Sequence, residues 1–142
     1  DLAERVTKVG TLLRYEGNLA GNIRELAIIS TAREFDAELE WAAHVPLARK
    51  AGVTDQTIAI VRERNVVDGL KQDEATVISF CRELFRGKRV PQHLFQKAQE
   101  LFGTQGLVEL TVLVGYYSMI ACCLNAFEVE PGIEFHDKLA TD

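Results

Sequence analysis

The sequence predicts an all-α fold of about six to seven helices. Apolar residues recur at helical spacing from one end of the chain to the other, whereas alternating runs of β-branched residues are scarce. The 142 residues, of which 47% are apolar and 26% charged, have the balance of one globular domain. We therefore assign residues 1–130 to a single helical domain and residues 131–142 to a C-terminal tail.

The first two helices are marked by an apolar stripe and by a capping pattern. Over residues 2–15 one face carries apolar side chains, and this pattern stops at Gly17. A second helix is expected over residues 23–33, with Asn22 as its N-cap. Glu25 follows three residues later, at the spacing from which a carboxylate can reach back to the cap.

The third and fourth helices are expected on either side of a short turn. The third spans residues 36–51, and Thr54 then caps a fourth over residues 55–64. Pro46 falls within the third helix, where it removes one backbone donor. Either the helix kinks next to His44, or Pro46 opens a new turn.

A loop over residues 65–70 separates these helices from the last three. The fifth helix is expected over residues 73–85. Pro91 suits the first position of a helix that ends at Gly103, and a long last helix runs from Thr104 to residue 127. The tail beyond it is expected to be extended or frayed.

The last helix is apolar on more than one face, and a chain this short has few elements to cover it. We therefore expect another subunit to cover part of it, which predicts a homo-oligomer. Its longest apolar stretch, residues 110–124, is about fifteen residues, short of the roughly twenty that cross a bilayer. This stretch predicts a buried helix and no membrane contact.

Net charge and cysteine content limit which classes of partner and which cellular compartment we expect for the protein. The net charge of −5 and the lack of a long basic cluster disfavour binding to nucleic acid or anionic lipid. Small uncharged or anionic substrates remain as expected ligands. The start of the chain has no apolar leader segment, so a cytoplasmic protein is the expectation. The three cysteines, Cys81, Cys122 and Cys123, are interpreted as buried small residues.

Glu25, Glu40 and His44 are the candidate catalytic residues. Glu40 and His44 lie one turn apart on one face of the third helix, beside Trp41. Imidazole takes and returns protons near neutral pH, and a neighbouring carboxylate orients it. Glu25 shares its helix face with apolar residues, a setting suited to a proton relay. The alternative is that the pair lies on a solvated helix face and that Glu25 serves only as a capping residue.

The sequence gives no indication of a metal or an organic cofactor. Glu40 and His44 supply two potential ligands, whereas a catalytic zinc ion generally has three from the protein. His93 and His136 have no partner at ligand spacing. A glycine-rich phosphate loop or dinucleotide fingerprint is also absent from the sequence.

Three runs of residues carry a resemblance to a known family. They are residues 24–28 (RELAI), 38–44 (ELEWAAH) and 51–54 (AGVT). Together they resemble the signature of the carboxymuconolactone decarboxylase and AhpD-like alkylhydroperoxidase superfamily. The likeness extends through Glu109-Leu110 and Tyr116-Tyr117 to residues 125–127, so it covers nearly the whole chain. It implies an AhpD-like helical domain that acts on a small molecule and assembles as a trimer or hexamer.

The resemblance also bears on the chemistry. AhpD-like relatives carry a Glu followed by Cys-x-x-Cys-x-x-x-His, and Glu25 and His44 match that Glu and that His. The two Cys positions fall on Ala37 and Glu40, so the dithiol is missing. Alkylhydroperoxidase or peroxiredoxin-type activity by that route is therefore disfavoured. It stays an alternative only if Cys81, Cys122 or Cys123 serves instead.

The chain resembles the cysteine-free branch, whose named activity is decarboxylation of a carboxylated muconolactone in aromatic catabolism. This resemblance implies a cofactor-free lyase or isomerase that acts on a small carboxylated lactone or related ring compound. Glu25, Glu40 and His44 would then handle protons. A non-catalytic oligomeric binding protein, in which these residues are structural, is the other alternative.

An anionic substrate also needs a cation and a cavity. Arg24 and Arg33 are the candidates to pair with its carboxylate, although both can equally face solvent. Trp41, Tyr116 and Tyr117 can line the cavity or fill the core, and core is favoured for two of the three. The candidate substrate-binding residues are thus Arg24, Arg33, Trp41 and Tyr116.

Overall fold

The computed structural model describes residues 1–139 and confirms the all-α prediction, with no strand in that part of the chain. Its six helices are α1 (Leu2–Thr11), α2 (Gly21–Glu34), α3 (Glu38–Lys50), α4 (Asp55–Arg62), α5 (Gln72–Arg82) and α6 (Gln92–Ala126). A π-helical turn follows α1 at Leu12–Glu16, and another follows α5 at Glu83–Gly87. The number of helices agrees with the sequence prediction.

Helix α2 lies at the centre of the domain and packs against α3, α5 and α6. Every residue from Glu25 to Arg33 is buried, so this helix has no solvent face along most of its length. Leu26, Ile28 and Ile29 are fully buried, and each such side chain contributes roughly 1.5–3 kcal/mol through burial. Polar groups on α2 must therefore find partners inside the protein.

The start of α2 differs from the prediction. The helix begins at Gly21 with Ala20 as N-cap, and no side chain caps it. The Asn22 capping prediction is wrong because Asn22 already lies in the first turn, while the Glu25 side chain turns into the core.

The predicted cap at Thr54 is confirmed, and one of the two alternatives at Pro46 is excluded. Thr54 caps α4, and its Oγ1 accepts a hydrogen bond of 3.1 Å from the Thr57 backbone N–H. Pro46 lies inside α3, which continues to Lys50, so Pro46 does not open a separate helix. His44 therefore lies in the middle of a continuous helix.

Helix α6 is interrupted at Gly103, as the sequence predicts. Gly103 has φ 69° and ψ 173°, a backbone conformation that favours glycine. Beyond it, one face is buried against the core at Leu107, Leu110, Leu113, Val114, Tyr117 and Ala121. Other faces expose Val108, Val112 and Met119. By length and composition α6 could also cross a membrane, a test that the core helix of a soluble protein passes as well.

The C-terminal segment folds back onto α3. The Leu139 backbone N–H donates a 2.9 Å hydrogen bond to Glu38 Oε1, and the Leu139 side chain is buried in the core. Asp137 accepts a 2.7 Å hydrogen bond from Arg49. The segment has no regular secondary structure, as expected, but up to residue 139 it is docked and not frayed. The rest of the predicted tail lies outside the described residues.

Candidate active site

A hydrogen bond between Glu25 on α2 and His44 on α3 forms the centre of the candidate site. Glu25 Oε2 lies 2.8 Å from His44 Nδ1. The two residues are 5% and 8% exposed, so the bond is made in the interior. An ionised carboxylate only accepts hydrogen bonds, so with Glu25 in that form it is Nδ1 that carries the proton and donates it. In the neutral imidazole, Nε2 is then the free acceptor, and it is the ring atom available to take up a proton.

Arg24 lies beside this bond. Its Nε atom is 3.7 Å from Glu25 Oε1, and this atom is buried without a hydrogen-bond partner within residues 1–139. The structure thus pairs Arg24 with a carboxylate of the protein itself. A role for Arg24 in binding a substrate carboxylate competes with this contact.

Glu40 lies one turn before His44 on α3 but forms no hydrogen bond with it. The residue is 3% exposed, and neither of its carboxyl oxygens has a partner within the described part of the chain. Desolvation by burial raises the pKa of Glu40 to about 8, so its carboxyl group is largely protonated at neutral pH. The predicted Glu40–His44 pair is corrected: Glu25, from the neighbouring helix, takes the imidazole Nδ1 instead.

Tyr117 on α6 contacts the His44 ring. The two rings meet edge to face, with centroids 5.1 Å apart, and Tyr116 meets Tyr117 in the same way at 5.2 Å. Burial, chiefly, raises the pKa of Tyr117, while the charge of Arg14 opposes that shift. The Tyr117 hydroxyl therefore stays protonated at neutral pH and can donate a hydrogen bond.

Three cavities lie along these helices, and none of them is lined by Glu25, Glu40 or His44. A cavity of about 180 Å³ between α1 and α6 has Tyr116 and Tyr117 in its wall. The other two, of about 470 and 380 Å³, are lined by no predicted site residue. The smallest cavity lies beside the site, because the Tyr117 ring in its wall also contacts the His44 ring.

Trp41 and Arg33, two of the predicted substrate-binding residues, are buried and contact other residues of the chain. Trp41 is 0% exposed, and the Arg62 guanidinium carbon lies 5.5 Å from its ring centroid. Arg33 is buried, donates a 2.6 Å hydrogen bond to the Arg62 carbonyl and pairs with Asp36. It also lies eight residues after Glu25, about 12 Å along the helix axis. Of the four predicted binding residues, Tyr116 alone is in the wall of the smallest cavity.

The cysteines lie away from any arrangement that activates a thiol. Cys81 is buried, and desolvation raises its pKa to about 12, the opposite of what a reactive thiol requires. Cys122 and Cys123 are exposed near the end of α6, so their predicted burial is wrong. Within residues 1–139, no three His, Cys, Asp or Glu side chains come together as a metal site would require.

Comparison with known proteins gives one family match. The model of the carboxymuconolactone decarboxylase family matches residues 1–78, more than half of the chain. The match contains Glu25, Glu40 and His44 and ends within α5. No curated protein matches the chain.

Proposed function

The chain belongs to the carboxymuconolactone decarboxylase family, and on that basis we propose that it is a cofactor-free lyase or isomerase. Its substrate is a small carboxylated lactone or a related ring compound. The observation that carries the proposal is the buried 2.8 Å hydrogen bond between Glu25 and His44, with a protonated carboxyl group at Glu40 one turn away. These are the groups that proton transfer to and from carbon requires.

In a decarboxylation, the bond between the ring carbon and the carboxylate breaks and carbon dioxide leaves. The electron pair passes into the conjugated system of the ring as a dienolate, and a proton must then be added to carbon. Glu40 supplies that proton, because its carboxyl group is protonated at neutral pH, and His44 returns a proton to it from solvent. An isomerisation uses the same groups, but it also needs a base that removes a proton from the substrate before one is added.

His44 is that base, and Glu25 orients it. With Nδ1 donating to Glu25, Nε2 takes a proton and returns it. Tyr117, on α6, contacts the imidazole ring, and its hydroxyl group is protonated. A hydroxyl donor of this kind stabilises negative charge that develops on a substrate oxygen.

The non-catalytic alternative accounts for part of this geometry. A Glu25–His44 pair is also what a purely structural role would produce. It agrees with the position of the three side chains, which line none of the cavities described above. It does not account for Glu40, whose buried carboxyl group has no partner within residues 1–139, because burial without a partner lowers stability. The thiol peroxidase alternative is disfavoured by the raised pKa of Cys81 and by the absence of a CxxC motif.

We also propose a homo-oligomer, either a trimer or a hexamer. The support is the set of large apolar side chains exposed on α1, its π turn and α6: Leu2, Val9, Leu12, Val108, Val112 and Met119. Size-exclusion chromatography with light scattering should give three or six times the chain mass of 15.8 kDa. A monomer at micromolar concentration would refute this part of the proposal.

A screen of carboxylated lactones for carbon dioxide release tests the activity. The parent protein should release carbon dioxide from at least one substrate, and His44→Ala should lose that activity. His93→Ala is the matched control, since His93 is exposed on α6 outside the site. No release from any substrate, or equal release by His44→Ala, would contradict the proposal.

A further inference from the structure

The cavity between α1 and α6 contains a cationic residue that the sequence analysis did not single out. The cavity has a volume of about 180 Å³ and is lined by Gly10, Arg14, Tyr15, Tyr116, Tyr117 and Ile120, with two threonines of α1. None of these lining residues is acidic. At about 30 Å³ per water molecule it has room for about six waters, which suits a single ring.

Arg14 lacks a partner of opposite charge. It forms no ion pair and no side-chain hydrogen bond with any other residue between 1 and 139, and its Nε atom is buried and unpaired. Its guanidinium carbon lies 5.1 Å from the Tyr15 ring centroid. A buried guanidinium N–H without an acceptor is unfavourable. The other guanidinium nitrogens of Arg14 are not fully buried, so they can pair with an incoming carboxylate.

The backbone of this region is shaped to present these side chains. Arg14 and Tyr15 belong to the π turn Leu12–Glu16, a rare conformation that is frequent at functional sites. In the same turn Leu13 is buried in the core, while Arg14 lies at the cavity. The turn therefore directs Leu13 to the core and Arg14 to the cavity.

Gly10 allows the Tyr116 ring, which is part of the cavity wall, to lie close to α1. A Cβ atom built at residue 10 would lie 2.8 Å from Cζ of Tyr116, closer than real Cβ contacts allow. The absence of a side chain at Gly10 thus lets the Tyr116 ring pack against α1. Tyr15, Tyr116 and Tyr117 give the cavity three aromatic rings, which suit a flat ring compound.

We propose that this cavity binds a planar ring monocarboxylate, with the Arg14 guanidinium pairing with the carboxylate and the tyrosine rings contacting the ring. The proposal rests on the proposed function for the claim that this ligand is the substrate. It replaces Arg24 and Arg33 by Arg14 as the cation that recognises the anionic group. The cavity meets the site at Tyr117, whose ring contacts His44.

Binding of benzoate, measured by isothermal titration calorimetry on the intact protein, tests the proposal without turnover. Benzoate should bind the parent, whereas benzamide, which has the same ring and no charge, should bind at least about tenfold more weakly. Arg14→Gln should lose benzoate binding by a similar factor, and Arg14→Lys should retain part of it. Arg5→Gln, at an exposed arginine of α1, is the matched control and should bind like the parent.

Gly10→Ala provides a second variant that leaves Arg14 in place. Its methyl group displaces Tyr116 and should weaken benzoate binding while circular dichroism shows a folded protein. The proposal is overturned if the parent does not bind benzoate, or if Arg14→Gln binds it as well as the parent does. It is also overturned if Arg14→Gln dissociates an oligomer without changing benzoate affinity, since the guanidinium then pairs with another subunit.

Failure of this inference and failure of the proposed function are distinguishable. Arg14-dependent benzoate binding, together with no carbon dioxide release from any lactone, keeps the cavity as an anion site and refutes the lyase. Release of carbon dioxide that is unaffected by Arg14→Gln refutes the role of Arg14 and keeps the lyase.

Discussion

The Glu25 carboxylate lies 2.8 Å from Nδ1 of His44, in a hydrogen bond that joins the central helix α2 to α3 inside the core. The two residues are 19 positions apart in sequence. This bond fixes the imidazole ring and leaves Nε2 for proton exchange, while Glu40 remains an unpaired acid on the same helix as His44. The following predictions test these roles one at a time.

Glu25→Gln should lower kcat for carbon dioxide release by about 100-fold, because the amide no longer provides the charged acceptor that orients His44. The shape of the side chain is kept, so the far-ultraviolet circular dichroism spectrum should be unchanged. Glu4→Gln, at an exposed position of α1, is the control and should have the activity of the parent. Unchanged kcat in Glu25→Gln would remove Glu25 from the mechanism.

Glu40→Gln should stabilise the protein at alkaline pH. Burial raises the pKa of Glu40 to about 8 from 4.5, so between these values the folded state holds a proton that the unfolded state has lost. Stability therefore falls as pH rises from about 4.5 to about 8, by a few kcal/mol at most. The neutral amide of Glu40→Gln does not titrate, so this decrease in stability should be absent from the variant.

Urea denaturation at pH 5 and pH 9 measures the effect. The free energy of unfolding of Glu40→Gln relative to the parent should be higher at pH 9 than at pH 5. Glu100→Gln, at an exposed glutamate of α6, should follow the parent at both values. Parallel profiles for the parent and Glu40→Gln would mean that the Glu40 carboxyl group is not protonated in the folded protein.

The activity should fall as pH rises through about 8, because Glu40 then loses the proton that it must deliver. The profile of kcat/KM against pH measures this loss. The fall should be absent from any residual activity of Glu40→Gln. A profile of the parent that stays level between pH 7 and pH 9 would exclude Glu40 as the proton donor.

Gly10→Ala should be less stable than Gly115→Ala by roughly 1–3 kcal/mol, since the added methyl group at residue 10 overlaps the Tyr116 ring. Gly115→Ala on α6 is the contrasting control. Nothing lies within 4 Å of a Cβ atom at that position, so alanine should stabilise the helix by roughly 0.5–1 kcal/mol. Thermal denaturation followed by circular dichroism compares the two. Equal effects of the two substitutions would show that Tyr116 does not pack against Gly10.

Replacing Cys122 and Cys123 together by Ser should leave carbon dioxide release and stability unchanged, because both side chains are exposed and carry no activating partner. Cys81 is left in place since it belongs to the core. Peroxide consumption by the parent that disappears in the double variant would instead favour the thiol peroxidase alternative.

Local signals in the sequence were sufficient for much of the fold. The cap at Thr54 and the break at Gly103 depend on one residue and its immediate neighbours, and both were predictable. Asn22 is not the cap because α2 begins one residue before it, at Gly21, and no side chain caps that end. The docked C-terminal segment depends on a contact between Leu139 and Glu38, 101 residues apart.

The pairing within the candidate site was not predictable from the sequence. Helical spacing placed Glu40 and His44 on one face, yet the partner of His44 comes from another helix. Tyr117 follows the apolar spacing of α6, so it looked like one of several core residues. Arg14 lies in a π turn, for which the sequence offers no recognisable pattern. Arg14 and Tyr117 are far apart in sequence, and they line the same cavity only in the folded protein.

Chemical rescue of His44→Ala is the most direct test of the claim that His44 transfers protons. Carbon dioxide release by this variant should be lost, and added imidazole should restore part of it by occupying the space of the missing side chain. Release by His44→Ala at the rate of the parent would contradict the account.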